Sequence, residues 1–220
     1  MTRKSLNLTD NLYEYMLSVS LQETKCQREL RKVTASHKYS NMQISPEQGQ
    51  FMAFLVYLTQ ARNIIEIGTF TGYSALSMAQ ALPDDGHLIT CDVDPETTAL
   101  ARQYWDRAGV GDKIELRLGP AIETLDKMLG KNSEPRFDMA FIDAEKTEYR
   151  AYYDRLLKLL HPGGLIMIDN VLWSGKPANP EINDVDTVAI REFNQYLAVD
   201  SRVMICLLPI SDGLTLVLKR

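Results

Sequence analysis

From Ile64 onward, short apolar runs alternate with amphipathic stretches, and this pattern constrains the fold more than any other feature of the chain. Ile64-Ile-Glu-Ile67 reads as a strand, Tyr73 to Leu82 as a helix ended by Pro83-Asp-Asp-Gly86, and His87 to Asp92 as a second strand. Pro95 stands where helices often begin, since the missing N–H is no loss there, and that helix runs to about Ala108-Gly109. Lys113 to Leu118, Phe137 to Ile142 and Leu165 to Ile168 read as further strands. Helices over Ala121 to Leu129 and Thr147 to Leu160 separate them, the second stopped by His161-Pro-Gly-Gly164. Apolar runs this continuous suit strands buried on both faces, and repeated βα units imply a parallel, doubly wound sheet. Val203 to Leu208 and Leu214 to Leu218 are joined by Pro209-Ile-Ser-Asp-Gly213, a loop short enough for an antiparallel hairpin. The first 60 residues read as a helical segment packed on this sheet, with Leu12, Tyr15, Met16 and Val19 on one face and Phe51, Phe54, Leu55 and Leu58 on another. No linker or repeat divides residues 1–220, so a single domain is expected.

The net charge of −5 provides no sequence-wide basic field for nucleic acid or anionic lipid. No stretch approaches the 18 or so apolar residues of a membrane span, and the first ten residues lack the apolar core of a signal peptide. Cys26, Cys91 and Cys206 are odd in number and widely spaced, without metal-binding spacing, which suits a reducing cytoplasm. Cys91 and Cys206 fall inside strands and are expected to be buried. His37, His87 and His161 are isolated and read as solvated or structural. Trp105 reads as core packing.

Two of the apolar runs end in carboxylates: Phe137-Asp-Met-Ala-Phe-Ile-Asp143-Ala-Glu-Lys146 and Gly164-Leu-Ile-Met-Ile-Asp169-Asn170. Neighbouring strands lie about 4.8 Å apart, so Asp143, Asp169 and Asn170 would converge at one sheet edge. Three hard oxygen donors at one point suit Mg²⁺ or Ca²⁺. The plainer alternative is two aspartates that cap the following loops. After the first strand comes Glu66-Ile-Gly68-Thr-Phe-Thr-Gly72-Tyr-Ser74. A dinucleotide fold wants a second glycine where Phe70 stands, so that the backbone can approach a pyrophosphate. Asp92 ends the second strand where an acidic residue takes ribose hydroxyls, and Gly119-Pro-Ala121 follows the third, where an adenine edge would lie.

This order of elements resembles the class I S-adenosylmethionine methyltransferases, a Rossmann-like parallel sheet with a C-terminal antiparallel hairpin and helices on both faces. S-adenosylmethionine has no pyrophosphate, so Phe70 is no obstacle to it. Gly68 and Gly72 would allow close backbone contact with its methionine tail, and Glu66 would answer its cationic end. More specifically, the chain resembles the cation-dependent O-methyltransferases typified by caffeoyl-coenzyme A O-methyltransferase, with catechol O-methyltransferase more distant. The resemblance runs from Leu12-Tyr-Glu-Tyr15 to Leu208-Pro-Ile-Ser-Asp-Gly213, and its most specific pieces are the Glu66–Ser74 loop, Asp143-Ala-Glu-Lys146 and Asp169-Asn-Val-Leu-Trp-Ser-Gly175. Gln48-Gly-Gln-Phe51 and Leu82-Pro-Asp-Asp-Gly86 match as well.

The resemblance implies that Asp143, Asp169 and Asn170 bind a divalent cation, Mg²⁺ before Ca²⁺ or Mn²⁺. It implies that Glu66, Gly68, Thr69, Ser74, Asp92 and Ala121 line the S-adenosylmethionine site, with Met42, Ile44 and Glu145 at its edge. Lys146 would sit beside the acceptor hydroxyl and act with Asp143, Trp173 would wall an aromatic substrate, and Lys4 matches a substrate contact of the plant enzymes. Ile44, Gln48 and Ser174 depart from the plant pattern, which has threonine, glutamate and asparagine there. The stretch Gly175 to Val188 is shorter than the plant loop and lacks its tyrosine- and arginine-rich character, which favours a small catechol-like acceptor over a coenzyme A thioester. A phenol titrates near pH 10, so the expected chemistry is a divalent cation lowering the pKa of vicinal hydroxyls, with Lys146 either taking the proton or stabilising the phenolate. Homodimerisation is implied by the resemblance alone. The competing readings are a nicotinamide-dependent oxidoreductase, a methyltransferase-fold protein acting on a non-catechol acceptor or on a macromolecule, and a non-catalytic binding protein. The Asn/Asp-Pro-Pro-aromatic run usual in base-amino methyltransferases is replaced here by Asp143-Ala-Glu-Lys146.

Overall fold

The structure, a computed structural model, describes residues 6–130 and 136–220. Seven strands form one sheet: β1 (Asn63–Ile67), β2 (His87–Asp92), β3 (Ile114–Leu118), β4 (Phe137–Ile142), β5 (Leu160–Ile168), β6 (Val203–Leu208) and β7 (Leu214–Lys219). Their order is β3-β2-β1-β4-β5-β7-β6. The first five are parallel, β7 runs antiparallel to β5, and β6 runs antiparallel to β7. The expected class I methyltransferase architecture is therefore present. The strand order reverses between β1 and β4, and crevices form at such switch points, beyond the carboxyl ends of the strands.

The pleat sends successive side chains to opposite faces and so makes two cores. Ile64, Met139, Phe141 and Met167 pack against helices α2 (Lys25–Thr34), α3 (Pro46–Thr59), α4 (Tyr73–Ala81) and α5 (Pro95–Arg107). Ile65, Ile67, Ala140, Ile142, Ile166 and Ile168 pack against α6 (Ala121–Gly130), α7 (Tyr149–Leu159) and α8 (Val185–Ala198). Trp105 is buried as expected, and its Nε1 donates to the Gly72 carbonyl at 3.0 Å.

Several expectations are corrected. The stretch after Gly175 holds α8, which buries Ile190, Phe193 and Leu197 and had not been recognised. Strand β5 starts at Leu160 rather than Leu165, because its register with β4 jumps from Phe137↔Leu160 to Met139↔Leu165 and the intervening residues bulge out. A 3₁₀ turn over Lys146–Glu148 precedes α7. No residue of α1 (Asp10–Ser20) is buried, and Tyr15 and Val19 are exposed. In α3 the buried stripe is Met52, Leu55 and Val56, at helical spacing, whereas Phe54 and Leu58 face outward. Cys206 is exposed because β6 is the sheet's edge, while Cys91 on interior β2 is buried.

Candidate active site

The carboxyl ends of β1, β2, β4 and β5 open into a cavity of about 1300 Å³. Met42, Ile44, Gly68, Thr69, Ser74 and Asp92 line it, as do Gly119, Ala121 and Glu145. Asp143, Lys146, Asp169, Asn170 and Trp173 line the same cavity. Of the other expected residues, Glu66 lies fully buried behind the wall, and Lys4 lies outside the described residues. Gly72 does not line the cavity. A Cβ there would stand 2.6 Å from the Ala101 Cβ, so its role is to let α4 meet α5. Gly68 is required by the site itself: with φ +96°, an added Cβ would stand 2.0 Å from the Asp143 carbonyl oxygen. That close passage brings the β1 and β4 loops together.

The β1 and β2 ends form an acidic, hydrogen-bonded wall. Thr90 Oγ1 donates to Glu66 Oε2 at 2.6 Å, while Glu66 Oε1 has no partner. Burial pushes the Glu66 carboxyl up to about 8; the nearby Asp143 and Asp92 add to the rise, and Ser74 and Thr90 oppose it. Asp92 Oδ2 accepts from the backbone N–H groups of Thr69 and Phe70, both at 2.8 Å, and its Oδ1 accepts from Asp94 N–H at 2.9 Å. Phe70, at φ +48°, is turned so that its N–H reaches this carboxylate.

The β4 and β5 ends carry the second half. Lys146 Nζ donates to Asp143 Oδ1 at 3.0 Å and to the Tyr149 hydroxyl at 2.8 Å. Tyr149 in turn donates to the Asp169 carbonyl at 3.2 Å. The ammonium also lies 5.7 Å from the centre of the Trp173 ring. Asp169 is 3% exposed, and its Oδ1 accepts from the Asn170 N–H at 2.7 Å. Burial and then the neighbouring Asp143 carboxylate push the Asp169 carboxyl up to about 7, against the pull of Gln48, the Asn170 N–H and Lys146. Asn170, Trp173 and Ser174 all have positive φ (+57°, +41° and +55°). Strain of this kind persists where the surroundings hold it. Here Asp212 and Gly213 of the β6–β7 loop do so: Leu172 N–H donates to the Asp212 carbonyl at 2.9 Å and Ser174 N–H to Asp212 Oδ1 at 2.5 Å.

Both halves fit cationic guests. A fully buried carboxylate with one unpartnered oxygen suits an ammonium, since an opposite charge offsets its desolvation. Asp143, Asp169 and Asn170 offer the two carboxylates and one amide that a hard divalent cation accepts. Among the described residues no group of three or more His, Cys, Asp and Glu forms a closed cage, so water or acceptor oxygens would complete the coordination. Sequence reasoning missed Tyr149 as the second partner of Lys146, although its i+3 spacing was a usable signal. It also missed Tyr13, whose hydroxyl donates to Glu47 Oε2 at 2.8 Å on the cavity wall.

A family model described as O-methyltransferase matches residues 17–220. Catechol O-methyltransferase domain-containing protein 1 of Mus musculus is 42% identical over 208 residues, covering 94% of this chain and 79% of that protein. Caffeoyl-CoA O-methyltransferase of Eucalyptus gunnii is 41% identical over 221 residues, covering 97% and 89%. The solved structure of the O-methyltransferase TomG of Streptomyces achromogenes, in complex with SAM, matches with a TM-score of 0.87 at 31% identity, covering 95% of this chain and 96% of that one.

Proposed function

We infer the function of this chain from the family it belongs to, the O-methyltransferases that take their methyl group from S-adenosylmethionine. Within that activity we propose transfer to one hydroxyl of a small catechol-like acceptor, dependent on a divalent cation. The nicotinamide alternative falls with the family. The observation that carries the proposal is the meeting of Asp143, Asp169 and Asn170 with Lys146 in the cavity that the cofactor wall also faces.

S-adenosylmethionine, when bound, supplies an activated methyl on a positive sulfonium. A cation held by Asp143, Asp169 and Asn170 would favour the ionised form of an acceptor hydroxyl. The chain's own residues do the remaining work. Glu66 takes the ammonium on its free oxygen, and Asp92, anchored by three backbone N–H groups, presents its edge to the ribose. Lys146 has three N–H donors as an ammonium and spends two, on Asp143 and Tyr149. The third remains for the acceptor oxygen, where it stabilises negative charge as it develops. Trp173 forms a flat wall against the acceptor ring.

The acceptor mouth supports a compact substrate. Arg191 of α8 donates to the carbonyls of Pro177, Asn179 and Ile182 at 3.0, 2.8 and 2.7 Å, which ties down the loop between Trp173 and α8. Residues 1–220 as one methyltransferase domain, a cytoplasmic location and a homodimer belong to the same proposal. The single sheet supports the first, and the exposed Phe54, Tyr57 and Leu58 of α3 support the last. No helix among the described residues is long and apolar enough to cross a membrane.

The test is S-adenosylhomocysteine release from S-adenosylmethionine with a catechol panel, including caffeic acid and its coenzyme A ester, in Mg²⁺ and in EDTA. Turnover with small catechols that stops in EDTA is expected. The Asp169→Ala variant should lose this turnover and keep the S-adenosylhomocysteine affinity that the native protein has in EDTA. Full activity of that variant, or of the native protein in EDTA, overturns the cation. Turnover only with acceptors lacking vicinal hydroxyls overturns the catechol assignment.

A further inference from the structure

Lys176 stands in the loop between Trp173 and α8, and the backbone there fixes where its side chain can go. Ser174 and Gly175 both take positive φ (+55° and +79°), and Gly175 N–H donates to the Leu172 carbonyl at 2.7 Å. The chain turns sharply at this point and brings residue 176 back to Trp173. Beyond the turn, Asn179 N–H donates to the Lys176 carbonyl at 3.0 Å, and Arg191 Nε to the Pro177 carbonyl at 3.0 Å. The lysine backbone is therefore held on both sides. Its Nζ lies 5.9 Å from the centre of the Trp173 ring, and the residue lines the cavity. An aromatic ring attracts an ammonium at about this distance, which favours the side chain over the indole wall.

Lys146 reaches the same ring at 5.7 Å, so the two ammonium groups stand no more than about 12 Å apart. Their situations differ. Lys146 is committed to Asp143 and Tyr149. Lys176 is exposed, and no carboxylate oxygen among the described residues lies within 4.0 Å of its Nζ. The acids of this region have other partners or stand apart. Asp184 accepts from the Thr187 N–H and hydroxyl at 3.1 and 2.8 Å, and Asp212 from the Ser174 N–H. Asp186 lines the cavity without pairing with the lysine. A catechol with its hydroxyls at Lys146 and its ring on Trp173 extends its substituent along this wall. At about 1.5 Å per bond, a short carbon chain on the ring covers the remaining distance to Lys176. The group that complements a free ammonium there is a carboxylate, through a charge-assisted hydrogen bond.

We propose that Lys176 is a specificity-determining residue that takes a carboxylate at the far end of the acceptor, so that the substrate class is a catechol acid. This rests on the catechol reading above and adds the charge of the acceptor to it.

The experiment compares S-adenosylhomocysteine release with caffeic acid and with its primary amide, in Mg²⁺ at pH 7.5, for the native protein, Lys176→Gln and Lys176→Glu. The two acceptors share a shape and differ in charge, since a carboxylic acid is ionised at this pH. Native kcat/KM should favour the acid about fivefold, the upper range for an ion pair at an exposed site, and the preference should reside in KM. Lys176→Gln should bring the ratio within twofold of one, and Lys176→Glu should reverse it. A lysine that only holds the loop would alter both acceptors alike and leave their ratio unchanged. If neither variant folds, the native ratio in high salt decides, because screening must shrink a preference made by charge. A native ratio within twofold of one, a preference for the amide, or a ratio that survives Lys176→Gln or high salt overturns the role of Lys176 and leaves the catechol reading intact. Turnover with catechol but with neither test acceptor has the same meaning. No turnover with any of the three overturns the catechol reading and this one with it.

Discussion

Replacing Glu66 with glutamine tests the cofactor wall through the pH dependence of stability. Burial first, then Asp143 and Asp92, lift the Glu66 carboxyl from its ordinary 4.5 to about 8. A raised carboxylate keeps its proton in the folded chain after the unfolded chain has released it. Stability therefore falls as pH rises from 4.5 to 8, and levels off above that. At about 1.4 kcal/mol per pH unit the fall amounts to about 5 kcal/mol, or nearer 3 if the wall relaxes to admit water. Glu66→Gln keeps the shape and removes the titration. Asp169, also raised, titrates in both proteins and cancels in the difference. Urea unfolding free energies without cofactor, at intervals from pH 4.5 to 8.5, should show the variant gaining about 3–5 kcal/mol on the native protein across that window. Any fixed cost of the new amide shifts the curve without tilting it. With saturating S-adenosylhomocysteine the native curve should flatten, since the ligand's ammonium offsets the buried charge. Parallel curves for the two empty proteins would refute both the raised carboxyl and the reasoning that assigns Glu66 to an ammonium.

Gly68→Ala should destabilise the chain by on the order of 3 kcal/mol and abolish cofactor binding, because its Cβ meets the Asp143 carbonyl oxygen at 2.0 Å with φ at +96°. A native-like thermal midpoint would show that the β1 and β4 loops do not need this approach. Lys146→Ala should lower kcat by roughly 100-fold while leaving cofactor affinity within twofold, and Tyr149→Phe, which frees one of the two bonds holding the ammonium, should produce a smaller loss of the same kind, about tenfold. Single-turnover rates and S-adenosylhomocysteine titration check both variants, and an unchanged kcat in Lys146→Ala removes the lysine from the chemistry.

How far the sequence carried the fold depended on burial. The interior strands β2 and β4 read correctly from their apolar runs: His87 to Asp92 and Phe137 to Ile142 agree with them residue for residue, whereas a bulge hid the start of β5. The errors sit where partners are set by topology. Met204, Ile205 and Cys206 look like core in a strand pattern, yet β6 has no neighbour on its outer side. Helix α8 carried its own signal in the spacing of Ile190, Phe193 and Leu197, but the stretch from Gly175 to Val188 was compared with a loop of the plant enzymes instead. The strand-end donors Asp143, Asp169 and Asn170 were legible, as residue type and position at a sheet edge suffice to nominate them. Tyr149 was not, because its meaning lies in which buried groups it faces.

The sequence also shows which acids stand at the strand ends but not how they influence one another. Asp143 raises both Glu66 and Asp169, and so joins the two subsites electrostatically, besides the hydrogen bond from its N–H to the Ile67 carbonyl at 2.8 Å. Positive charge arriving at the Asp143–Asp169 side reduces the repulsion felt by Glu66, which makes Glu66 a better partner for an ammonium. By reciprocity, an ammonium at Glu66 must favour a cation at Asp169 by the same factor. A coupling of about 1 kcal/mol, the low end for such effects, corresponds to roughly fivefold tighter S-adenosylhomocysteine binding in saturating Mg²⁺ at pH 7.5. Because the link is electrostatic, it should shrink at pH 4.5, where both raised carboxyls hold their protons whichever guest arrives first. Equal affinities with and without Mg²⁺ at pH 7.5, in a protein that binds both ligands, would show that Asp143 does not connect the two halves of the site.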